Sequence, residues 1–127
     1  MRFLSALFFF LLCNTSYADE TLFDCQETII EAKGIYLYFL AAETRNLAEK
    51  YRYDTTNQIL SIGDTELSCS SYEQLLTCNR LDEDEDYFYR WHFQIDTASL
   101  KNEFRKQGEF ANKEHLIHTQ GECLISN

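Results

Sequence analysis

Cys69 and Cys78 lie nine residues apart, Asp82, Glu83, Asp84, Glu85 and Asp86 run without a break, and Tyr87, Tyr89 and Trp91 follow at alternate positions. Residues of these types supply three chemistries: thiol exchange or disulfide formation, cation binding, and stacking on a flat or apolar ligand. His92, His115 and His118 add a general base or nitrogen ligands for a metal. Spacing decides among these readings.

A thiol oxidoreductase is expected to carry Cys-x-x-Cys, and structural zinc sites carry ligand pairs at about two to four residues. Neither pattern occurs among these cysteines. Cys25, Cys69, Cys78 and Cys123 are an even set in a short chain that reads as exported, which implies disulfides. A hairpin turning at Glu73 and Gln74 sets Cys69 opposite Cys78 in a non-hydrogen-bonded pair, close enough to bridge. Cys25 with Cys123 then ties the two ends of the domain together. In the chain-entropy model the long loop contributes about 4–5 kcal/mol and the short one about 2–3 kcal/mol.

The acidic run fails as an EF-hand. A loop starting at Asp82 would need glycine where Tyr87 stands and glutamate where Phe93 stands. It reads instead as a solvated turn, and Asp82 to Asp86 become the candidate contact for a cationic protein partner. His115 and His118 share a face on a helix but split across a strand, and this segment reads as strand. His92 falls on the polar parity of the aromatic run and reads as a surface or cross-strand residue. Ser70, Ser71 and Ser99 are available hydroxyls, but no nucleophile elbow surrounds them. No catalytic residue, cofactor or metal ligand is assigned, and the chain is expected not to be an enzyme.

Tyr87, Tyr89, Trp91, Phe93 and Ile95 alternate with Phe88, Arg90, His92, Gln94 and Asp96. That period of two, rich in aromatics, predicts a strand buried on one face. Tyr87, Tyr89 and Trp91 are the candidate ligand-binding residues if the sheet curls round a cavity. A weaker alternation in "NLAEKYRYD" predicts a second strand, turns flank "ILSI" and "TELSCS", and "LLTCNR" and "HLIHTQGECLI" complete the series. Recurrence at short intervals predicts a mainly β fold: a small antiparallel meander forming a sandwich or open barrel, with two disulfides and room for one short helix. Residues 38–51 lean to strand despite their helix formers, and 97–107 stays open between helix and strand.

The first eighteen residues, "MRFLSALFFFLLCNTSYA", combine Arg2, an apolar run from Phe3 to Cys13 and small residues at Ser16 and Ala18. This is the pattern of a cleaved secretory signal, and the run is shorter than the about 20 residues that span a bilayer. Leu12 stands where lipoprotein processing at Cys13 would need a small residue. The expected mature chain, 19–127, is a single domain of 127 − 18 = 109 residues carrying 10 − 21 = −11 formal charges. That charge disfavours nucleic acid and anionic membrane, and no membrane insertion is expected after cleavage. The layout resembles that of bacterial envelope proteins, small inhibitors of host or rival enzymes among them. The expectation is a periplasmic or secreted, non-enzymatic protein-binding or inhibitor-like module. The alternative is a small barrel or sandwich that binds an apolar or carbohydrate ligand near the aromatic strand.

Overall fold

The computed structural model describes residues 20–37 and 46–126. The expected secretory signal at 1–18 and the 38–45 part of the first undecided segment lie outside the described residues.

Eight strands follow one another around a closed barrel: β1 (Glu20–Lys33), β2 (Asn46–Asp54), β3 (Ile59–Ile62), β4 (Thr65–Tyr72), β5 (Leu75–Glu83), β6 (Tyr87–Asp96), β7 (Lys101–Phe110) and β8 (Lys113–Ser126). Every pair is antiparallel, and β1 pairs with β2 along one edge and with β8 along the other. This corrects the sandwich or open barrel predicted above. Strand β1 supplies the closing ladder, so every strand is paired on both sides along at least part of its length.

The segment 97–107 holds no helix. Asp96 Oδ1 accepts the N–H groups of Ala98 and Ser99 at 2.8 and 3.1 Å. Leu100 then takes a left-handed backbone (φ 62°), and β7 begins at Lys101. Asp96 thereby closes a turn. Residues 46–51 belong to β2. Among the described residues, helical backbone is confined to a 3-10 turn at Gly34–Tyr36 and the adjoining Leu37.

Side chains alternate between the barrel interior and solvent, as the pleat requires. The interior has two unlike halves. Phe23, Tyr53, Leu60, Leu67, Leu76, Phe93 and Ile95 fill one half completely, together with Cys25, Cys78 and Cys123. The other half is lined by the ends of β1 and β7 and the starts of β2, β6 and β8. Its side chains include Glu27, Glu49, Trp91, Lys106 and Thr119. An eight-stranded barrel is just wide enough to be filled by side chains or to keep room for one small ligand. This barrel does one in each half.

Both disulfides join residues directly opposite in the ladders. Cys69–Cys78 spans the β4–β5 hairpin, whose two-residue turn is Glu73–Gln74 with Glu73 left-handed (φ 55°). Cys25–Cys123 spans the β1–β8 seam, where the barrel closes.

Candidate functional site

Glu27 is the floor of the open half. It sits on the inward parity of β1, between Cys25 and Ile29, and is 2% exposed. Its Oε2 accepts the Tyr51 hydroxyl at 2.6 Å and Asn102 Nδ2 at 2.5 Å, while Oε1 accepts the Thr119 hydroxyl at 3.0 Å. The donors come from β2, β7 and β8, so one carboxylate joins four strands. Such a group is tolerated in a core only when it is satisfied in this way. Asn102 reaches Glu27 across β8 at Gly121, which pairs with Glu27 on one side and Asn102 on the other. A side chain at Gly121 would run into the Gln26 carbonyl and the Glu27 backbone. Asn102 Oδ1 is a buried acceptor without a partner among the described residues.

Tyr51 links the floor to the packed half, its ring centroid 4.5 Å from that of Phe93. Burial, then the charge of Glu27 and the hydrogen bond to it, push the Tyr51 hydroxyl far above the usual phenol range, so it remains a donor. Glu49, one inward position along β2, is also raised, first by burial and then by repulsion from Glu27. Glu49 has no hydrogen-bond or ion-pair partner among the described residues.

Above this floor lies a cavity of about 250 Å³, walled by Leu47, Ile62, Phe104, Ile117 and Trp91 and reached by Glu27, Glu49, Tyr36 and Lys106. Lys106 Nζ sits 4.1 Å from the Trp91 ring centre, 4.7 Å from that of Tyr89 and 5.8 Å from that of Tyr36. It makes no ion pair among the described residues. Tyr36 arrives on the 3-10 turn, which His115 pins. His115 Nδ1 accepts the Ile35 N–H at 3.0 Å, leaving Nε2 to donate to the Phe110 carbonyl at 3.2 Å. Gly34 is required beneath that ring, because a Cβ there would collide with the imidazole and because its φ is 66°.

The candidate residues read from the sequence fall into different places. Trp91 and Tyr89 line the cavity and its rim. Tyr87 is exposed at the strand's end, 6.1 Å from Tyr89 between ring centres. Asp82 is not part of a turn: it lies within β5, its Oδ2 accepts Trp91 Nε1 at 2.9 Å and its Oδ1 accepts Arg80 Nε at 2.6 Å. It therefore aims the indole. Arg80 continues the chain by donating to the Glu66 carbonyl at 3.0 Å, beyond the end of the β4–β5 ladder. Glu83 ends β5, and Asp84 to Asp86 form the turn at the cavity end of the barrel, with Glu109 and Asn112 beside them.

The histidines are all engaged. His92 meets Asn79 across the β5–β6 ladder at 2.8 Å, and His118 meets Glu103 at 2.6 Å. Glu27, Glu49, Asn102, Lys106 and Thr119 were not singled out from the sequence. Their one shared signal is a polar residue on the inward parity of a strand.

Fold and site together define a small closed antiparallel β-barrel, half packed and half hollow, with a carboxylate floor and an aromatic rim. No protein family, curated protein or solved structure matches this chain.

Proposed function

We propose that the protein is an exported, non-enzymatic binding module, inhibitor-like in scale, that recognises a protein partner with the open end of its barrel. The observation that carries this reading is the asymmetry of the interior: one half is filled, and the other is left as a cavity. Three features join at that end, namely the cavity, the Tyr89–Trp91 rim and the Asp84–Asp86 turn. The acids of that turn make no ion pair among the described residues, which suits a cationic partner. Two disulfides, and the absence among the described residues of a helix long and apolar enough to cross a membrane, are consistent with an oxidising compartment outside the cytoplasm. Replacing Asp84, Glu85 and Asp86 with Asn or Gln is expected to slow association with the partner and flatten its salt dependence. Unchanged kinetics across that series would remove the turn from the contact.

A second reading is supported by the cavity walls. Leu47, Ile62, Phe104, Ile117 and the face of Trp91 suit a small apolar ligand or a sugar ring. Native mass spectrometry of the protein purified from its own cells tests this. A co-purifying small molecule would favour it, and its repeated absence would count against it.

A further inference from the structure

Among the described residues, the charges in the cavity are not balanced. Glu27 has three donors, whereas Glu49 has none among the described residues. The cation lining the cavity, Lys106, is spent on aromatic faces rather than on either carboxylate. Rings around an ammonium form the arrangement that binds cationic ligands, here occupied by a tethered one. Lys106 is partly exposed and its stem is flexible, so it can leave for water while its place is taken.

We propose that this cavity receives a primary alkylammonium group, the lysine side chain of a protein partner, with Glu49 as its counter-charge and Trp91 and Tyr89 as its cage once Lys106 has swung out. The proposal rests on the reading of the open end as the recognition surface. Three alternatives fit less well. An anion drawn to Lys106 would add a third negative charge beside Glu27 and Glu49. A neutral apolar molecule would bury Glu49 further without giving it a donor. A guanidinium is broad and planar, whereas a lysine stem with a compact head suits a small cavity that offers the apolar side chains of Leu47, Ile62 and Phe104 together with a carboxylate. The acids of the Asp84–Asp86 turn would draw the cation towards the opening.

The test is an NMR titration of the disulfide-intact protein at fixed ionic strength, following the Trp91 indole N–H. The probes are n-butylammonium, 1-butanol, butyrate and Nα-acetyl-lysine-N-methylamide. Butylammonium and the blocked lysine are expected to shift that resonance and to bind at least about tenfold more tightly than butanol or butyrate. Glu49→Gln should weaken the ammonium probes by about tenfold, and Lys106→Met should tighten them several-fold, in variants whose spectra match the parent. Butanol binding equally well, or butyrate binding better, would overturn the ammonium assignment and leave the cavity as a recognition site. Loss of binding in Lys106→Met would also overturn it, since Lys106 would then be a contact and not a placeholder. Binding of butylammonium with exclusion of the blocked lysine would overturn the protein source. No response to any probe would overturn both this assignment and the cavity's role.

Discussion

The Tyr51 hydroxyl and Asn102 Nδ2 share Glu27 Oε2, and among the described residues Thr119 serves Oε1. Removing a donor from a buried carboxylate costs more than the bond itself contributes, because the acceptor stays buried. Tyr51→Phe is therefore expected to lower stability by about 1–3 kcal/mol, read from the shift of a denaturant midpoint, with the fold retained. Glu49 behaves differently. Its pKa is raised in the folded state, so the native protein holds that proton more tightly than the unfolded chain does. The contribution to stability is fully present below the ordinary carboxylate pKa and is lost as pH rises through the folded-state value. Glu49→Gln should then raise the melting temperature at neutral pH, with a gain that shrinks as pH falls towards the ordinary carboxylate range. A gain that persists unchanged at acid pH would mean that charge burial is not its cause. Neither carboxylate was legible in the sequence, because a lone Glu on a strand looks the same whether it faces water or a cavity.

Most individual strands were legible. β2, β3 and the hairpin at Glu73–Gln74 follow from alternation and turn residues, and the hairpin register places Cys69 opposite Cys78. Strand β1 was not, for two physical reasons. Its inward row reads Phe23, Cys25, Glu27, Ile29, with a carboxylate among the apolar residues, and a register shift between Ile29 and Glu31 moves the next buried residue to Ala32. A bulge of this kind changes parity and hides the period of two. In β7 the inward row is Asn102, Phe104, Lys106 and Gly108, because these residues serve the floor, the cavity and a close approach to β6. Phe104 is the one large apolar member of that row, so no period of two stands out. The same crowding gives a prediction for β8. At Gly121 the β1 backbone passes where a Cβ would lie, so Gly121→Ala should cost more than about 2 kcal/mol by chemical denaturation. A near-neutral result would show that β1 can move away from the seam.

On the scale of the molecule, closure was the feature the sequence withheld. A meander of short strands is compatible with a sandwich, an open barrel or a closed one, and only the pairing of β1 with β8 selects the last. The Cys25–Cys123 bond lies on that ladder, with a sequence separation of 98 against 9 for Cys69–Cys78. Replacing the first pair with serine should cost about 4–5 kcal/mol, and replacing the second about 2–3 kcal/mol, when midpoints are compared. The reverse order would mean that the seam holds without its covalent link.

The seam bond also sets how the protein bears tension. Leu22 lies opposite Ser126, and Cys25 opposite Cys123, so a pull on residues 20 and 126 peels apart only the short stretches outside the bond. The bond then takes the load, and everything between the two cysteines is shielded from it. That enclosed chain, with a separation of 98, represents roughly 320–350 Å of contour at about 3.3–3.6 Å per residue. Single-molecule stretching should release this length only in the presence of a reductant. Oxidised, the barrel is an inextensible link whose opening is governed by thiol exchange rather than by force on its sheet.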